Sequence, residues 1–270
     1  MTKKLIQIVS MVFILLCANF SMAQESSQNS NIKADFSADL VSRYVWRGLQ
    51  FGGKSPAIQP SVNFSYKNLN LGFWGSYSLG GVNASQEFDI SLSYALLKNM
   101  FTATLTDYYF PDSQMNYNYF DYADKTTGHV FEAMLSFNGT KQIPFTFLMA
   151  MNFYGADARK VNDDVNSPDF NKTGGIQYSN YFELGYSTRI SGKDLQFFGG
   201  FTLTNPRKAN QQTGYIGEGA FYGGGSGVIN LGCKLSDNIK VSNTFSVPVS
   251  ASIITNPRDK KVYLVFGMTF

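Results

Sequence analysis

From Ala34 to the C-terminus, apolar and polar residues alternate with a period of two almost everywhere. That period puts residues i, i+2 and i+4 on one face of a strand. The last segment shows it plainly: Val262, Leu264, Phe266, Met268 and Phe270 share one face and alternate with the residues between them. An alternating run of ~9–11 residues can cross a bilayer as a tilted strand. Similar runs are predicted over 35–48, 57–67, 69–79, 87–97, 100–110, 128–138, 144–154, 178–190, 195–204, 228–235, 239–249 and 262–270. Ile58, Val62, Phe64 and Tyr66 oppose Gln59, Ser61, Asn63 and Ser65; Phe88, Ile90, Leu92 and Tyr94 oppose Glu87, Asp89, Ser91 and Ser93.

The connections sort by length. Tight turns rich in Gly, Asn, Asp and Lys follow the even-numbered predicted strands, among them Lys67-Asn68, Lys98-Asn99, Ser191-Gly192-Lys193-Asp194 and Ser236-Asp237-Asn238. Such residues suit hairpins. Longer loops follow the odd ones, notably 111–127, 155–177 and 205–227. Twelve strands with short turns at one end and long loops at the other predict an all-β, transmembrane antiparallel β-barrel, its turns periplasmic and its loops extracellular. A soluble sandwich has no reason to sort its loops by side. In the barrel the apolar face meets lipid and the polar face lines the lumen.

The N-terminus supports export. Lys3 and Lys4 precede an apolar run, and Ser21-Met22-Ala23 offers a small-x-small cleavage site, as in a secretory signal peptide. The expected division is a signal peptide over 1–23, a flexible leader over 24–34 and a barrel over 35–270. The expected location is the outer membrane of a Gram-negative cell, with outer-membrane lipid as surroundings. No mature segment has the apolar length of a spanning helix, and a closed barrel is the other spanning solution. The chain has 22 Lys+Arg against 19 Asp+Glu, and two of the lysines, Lys3 and Lys4, lie in the expected signal peptide, so charge gives no reason to expect a nucleic-acid partner. Only Cys233 survives cleavage, which leaves no intrachain disulfide.

Asp39-Leu40-Val41-Ser42-Arg43-Tyr44-Val45-Trp46-Arg47-Gly48-Leu49 resembles the opening motif of the TorF-family putative porins, which commonly reads Ser-Asp-Tyr-Val-Trp-Arg-Gly. Pro56-Ala57-Ile58-Gln59, Leu71-Gly72-Phe73-Trp74-Gly75-Ser76, Glu87-Phe88-Asp89-Ile90 and Tyr108-Tyr109-Phe110-Pro111 are similar to the following segments of that family. The likeness implies an outer-membrane passive channel and names no solute. Arg43 stands where the family usually has Asp. A terminal Phe270 also resembles the signal read by the barrel-assembly machinery.

Candidate chemistry is sparse. The single histidine, His129, lies in phase with Phe131, Ala133 and Leu135. It reads as a polar residue at headgroup level on the lipid side; the sharper reading, a lipid hydrolase, lacks a nucleophile identifiable by spacing. Gly223-Gly224-Gly225-Ser226-Gly227 lacks the Lys-Ser/Thr and helix of a phosphate loop and reads as a surface loop. Asp163, Asp164 and Asp169 do not have EF-hand spacing. No catalytic residue, metal site or cofactor is expected. Asp107 shares its phase with apolar residues, which predicts a bulge or an early exit of the strand from the membrane. The functional candidates are charges on polar phases, read as pore-lining: Arg43 and Arg47 on the first strand, Glu87 and Asp89 on the fourth, Glu132 on the sixth and Glu183 on the eighth. They lie across the interior from one another and would select a small polar solute by charge and dipole; pairing directly, they would plug a narrow lumen. The expected function is a porin-like channel, with a plugged structural or adhesive barrel that binds partners through its loops as the alternative.

Overall fold

The computed structural model describes residues 32–80, 85–111 and 118–270. The strands are β1 (Ile32–Val41), β2 (Tyr44–Trp46), β3 (Leu49–Phe51), β4 (Ala57–Tyr66), β5 (Leu69–Ser78), β6 (Gln86–Leu96), β7 (Phe101–Tyr109) and β8 (His129–Phe137). They continue as β9 (Phe145–Gly155), β10 (Arg159–Val161), β11 (Thr173–Ile176), β12 (Asn180–Ile190), β13 (Lys193–Thr202), β14 (Gly227–Lys240), β15 (Ser246–Asn256) and β16 (Lys261–Thr269). Twelve of them close a barrel in the order β1-β16-β15-β14-β13-β12-β9-β8-β7-β6-β5-β4, while β2–β3 and β10–β11 form separate hairpins.

Alternation decides which way each wall residue points. Outward residues include Leu105, Leu184, Leu231, Ile253, Leu264 and Phe266, each about half exposed. The buried side chains are instead polar to an unusual degree: Glu132, Asn152, Asn256, Thr202 and Ser179 are almost wholly covered. An exposed apolar belt this large marks a surface that meets something other than water. The inward polar groups satisfy one another: Gln59 donates to Ser76 Oγ (3.2 Å), Asn70 to Ser65 Oγ (2.9 Å), and Ser93 and Thr104 hydroxyls pair at 3.0 Å.

Local chemistry sets the turns. Ser191 (φ 51°) and Gly192 (φ 81°) link β12 to β13. Two successive positive φ values form the turn whose twist matches two antiparallel strands. The seam closes between the first and last strands, with Asp39 opposite Thr269 and Val41 opposite Gly267. Phe270 completes it: its N–H donates to the Ala38 carbonyl (3.0 Å) and its own carbonyl accepts from Ala38 N–H (3.1 Å).

Four sequence expectations need correction. The first strand ends at Val41, not Gly48, because the chain turns inward there. It begins at Ile32, inside the segment read as leader; the signal peptide and the rest of that leader lie outside the described residues. Ser236-Asp237-Asn238 is no turn: β14 runs through it to Lys240, and the chain reverses at 241–245, where Val241 N–H donates to Phe245 O (3.0 Å). Asp107 causes no bulge, since β6–β7 pairing runs unbroken through Ile90 and Asp107.

Candidate functional site

After Ser42 and Arg43 the chain leaves the wall and folds β2 and β3 into the barrel interior. The hairpin pairs Tyr44 with Phe51, Val45 with Gln50 and Trp46 with Leu49. Its two-residue tip is Arg47 (φ 48°) and Gly48 (φ 73°), the same turn chemistry as in the wall. Only glycine fits at the second position, because a Cβ there would fall 1.8 Å from the Ile229 carbonyl oxygen on β14. The Gly48 carbonyl in turn accepts from Asn256 Nδ2 of β15 (3.2 Å). The tip is therefore wedged against the wall at β14 and β15.

This wedge carries Arg47 into the middle of the barrel. Its guanidinium donates to both oxygens of Glu132 on β8, Nη2 to Oε1 at 3.0 Å, and to the Tyr222 hydroxyl. The forked geometry suits a carboxylate. Tyr108 donates to the same carboxylate (3.0 Å), as does Tyr222 (3.4 Å). Arg47 Cζ lies 4.2 Å from the Trp46 ring centre and 4.6 Å from that of Tyr181, where the ring faces attract a cation. Only 7% of the Arg47 side chain and 1% of Glu132 are exposed. Trp46 packs against Tyr108, Phe221 and Tyr222. Phe221 and Tyr222 come from the 203–226 loop, expected at the surface; Arg258 draws it inward by donating to the Tyr222 and Gly225 carbonyls.

The six charges read from the sequence thus fall into separate places. Arg47 and Glu132 meet directly. Glu183 joins them through Tyr181, whose hydroxyl it accepts while also accepting from Asn230 Nδ2 (2.8 Å). Glu87 and Asp89 lie buried on the inner face of β6. Asp89 Oδ1 has no hydrogen-bond partner among the described residues. Arg43 stands apart, donating to Gln50 Oε1 (3.3 Å). Neither arginine belongs to the wall, contrary to the strand-one assignment. Missed from the sequence were Tyr108, Tyr181, Tyr222 and Asn230; a tyrosine is both apolar and polar, so its type alone carries no sign of which face it takes.

One cavity borders this cluster and a second lies among the loops. One, of about 270 Å³, lies beside the hairpin and is lined by Arg47, Glu183, Asn230 and Lys234 among others. The other, of about 600 Å³, opens between the 156–179 and 203–226 loops, with Lys160, Lys172, Arg207, Asp163 and Glu218 in its lining. Asp163 there pairs with Arg207 and Asp169 with Lys172 (2.8 Å).

His129 and Asp107 occupy the outward face. His129 Nδ1 lies 2.8 Å from Asp107 Oδ1, and Nε2 donates to the Tyr119 carbonyl (2.7 Å). Tyr109, Tyr119 and Tyr122 cover the ring, leaving it fully buried instead of open at headgroup level. This explains how Asp107 stays in phase with apolar residues: its partner sits on the neighbouring strand.

No curated protein matches the chain. Among solved structures it is similar to Wzi of Escherichia coli, described as a carbohydrate-binding β-barrel involved in capsule assembly (9% identity, TM-score 0.33, 88% of this chain and 56% of that one). It is also similar to the COG4313 outer membrane channel of Pseudomonas putida F1 (10%, 0.38, 91% and 96%) and to OprD of Pseudomonas aeruginosa (11%, 0.32, 90% and 66%). The chain thus spans little more than half the length of the E. coli protein. Likenesses this distant say nothing about solute. Residues 24–178, more than half the chain, match the family described as "Bacterial protein of unknown function (Gcw_chp)", and the chain belongs to that family.

Proposed function

We propose that the protein is a porin-like channel of the outer membrane whose lumen is narrowed by the β2–β3 hairpin and passes small polar solutes. The observation that carries this reading is Arg47: a charged side chain brought into the barrel on an inward-folded hairpin and held there by Glu132. A ring of polar groups inside an apolar-faced barrel is the arrangement of a lumen in lipid, and charged groups at a constriction set ion and solute preference. In this reading Arg43, Arg47, Glu87, Asp89, Glu132 and Glu183 line the passage. The resemblance to TorF-family putative porins agrees with it. Phe270 at the seam is the residue offered to the assembly machinery, and outer-membrane lipid surrounds the belt. The reading includes no catalytic step, cofactor or nucleic-acid partner.

Conductance in planar bilayers tests it. Wild-type protein is expected to give small, discrete steps, and Arg47→Ala larger steps with altered ion preference. Identical conductance and selectivity in the two proteins would remove Arg47 from the passage.

The near-complete burial of Arg47 and Glu132 favours a second reading, a plugged barrel that works through its loops. Between eight strands, whose interior side chains fill, and sixteen, which leave a channel, a twelve-stranded barrel admits either outcome. Absence of steps from wild type and Arg47→Ala alike would support the plug.

A further inference from the structure

The 270 Å³ cavity contains charged groups that are engaged and one that is free. Arg47 is held by Glu132, and Glu183 by Tyr181 and Asn230. The Lys234 ammonium lines the same cavity and takes part in no ion pair among the described residues. Asn230 is 6% exposed, and its Oδ1 has no partner there. Four residue steps separate Asn230 from Lys234, roughly 13 Å along β14.

Between them lies an aromatic floor. Gly232 stands midway on the inner face of β14, opposite Phe198 of β13. A Cβ on Gly232 would fall 2.8 Å from Phe198 Cζ, so the ring occupies the space a side chain would take. Its face offers apolar, weakly negative surface to C–H bonds. Val41, Val45 and Val265 add apolar surface from β1, the hairpin and β16. Gln196 and Ser252 are the cross-strand partners of Lys234 and bring an amide and a hydroxyl to its level. Ligand pockets generally combine an apolar lining with a few placed polar groups, at ~300–1,000 Å³ for drug-sized ligands. This one suits something smaller. A pyranose ring presents C–H bonds on its face and hydroxyls at its edge. Phe198 matches the face, while Glu183 and the Gln196 amide oxygen accept from hydroxyls. Lys234 matches one negative group.

We propose that this cavity is a subsite for a sugar acid, a pyranose bearing a single carboxylate. Its place on a transport route rests on the channel reading above, whereas its binding is measured without it.

Titration calorimetry on the detergent-solubilised full barrel, with glucuronate, glucose and acetate as probes, tests the assignment. Glucuronate should bind at least tenfold tighter than glucose or acetate. Lys234→Gln should weaken glucuronate tenfold or more and leave glucose unchanged; Phe198→Leu should weaken both sugars. Lys141→Gln, in an exposed turn, should change nothing. Glucuronate binding no tighter than glucose, or unchanged by Lys234→Gln, overturns the proposal. If Lys234→Gln fails to fold on a heat-modifiability gel, the wild-type comparison of glucuronate with glucose decides alone. A barrel that binds glucuronate but carries no current keeps the subsite and loses the channel; one that conducts but ignores glucuronate does the reverse.

Discussion

Arg47 and Glu132 are each buried where an unpaired charge is costly, and each is the other's remedy. Removing one partner of such a pair costs about 3–5 kcal/mol, whereas replacing both with uncharged groups is often close to neutral. Arg47→Ala and Glu132→Ala should therefore each lower the urea midpoint of the refolded barrel, while Arg47→Met with Glu132→Gln should cost less than the sum of the two. Strictly additive effects would mean that the pair is not coupled. Gly48→Ala should be destabilising by about 1 kcal/mol or more, since positive φ and the Ile229 carbonyl both exclude a side chain. At this scale the sequence exposed the charges but not their contacts. Arg47 was visible beside Trp46 and Gly48; that it meets Glu132 depends on a hairpin whose alternation is indistinguishable from that of the wall. Lys234, Phe198 and Asn230 gave no signal, because their meaning arises only from the register between β13 and β14.

At the scale of elements, the period of two located all twelve wall strands, and their tight turns followed from Gly, Asn and Lys. Two errors have separate causes. The first strand was read through to Gly48 because β2 keeps the same alternation, and 236–238 was read as a turn because Asp-Asn composition matched one. Asp237 is instead held at the end of the wall by Lys193. The loops hold together by similar local pairs. Arg159 of β10 clamps the 118–127 loop through Asp124, with Nη1 to Oδ2 at 2.9 Å, and Tyr154 donates to the Tyr122 carbonyl (2.6 Å). The hydrogen bond from Arg159 holds the Asp124 carboxyl below its ordinary value. A carboxylate lowered on folding contributes above its unfolded pKa, ~3.9, and loses that contribution as pH falls through the folded value. Limited proteolysis of the 118–127 loop should thus be constant from neutral pH to about 5 and accelerate below about pH 4. Arg159→Ala should show the faster cleavage at neutral pH as well; equal rates for the two proteins at pH 7 would dismiss the clamp.

For the molecule as a whole, the decisive property is the inversion of sides, with apolar residues outward and polar ones inward. That was legible in the sequence because a barrel in lipid needs both faces patterned and its loops sorted by end. Cys233 offers a direct probe: it lies on the outward face of β14 between exposed Leu231 and Leu235. In vesicles it should react with a lipid-soluble maleimide and resist a membrane-impermeant one; efficient labelling by the impermeant reagent would contradict the outward assignment. What the sequence could not convey is how far the lumen is open, since that depends on where the hairpin and the 203–226 loop settle. The most direct measurement is single-channel conductance of the intact barrel beside one in which 44–51 is replaced by a Gly-Ser linker. A narrowed channel predicts small steps from the intact protein and steps several-fold larger, with weaker ion preference, once the hairpin is gone. Equal conductance in both, or none in either, would contradict it.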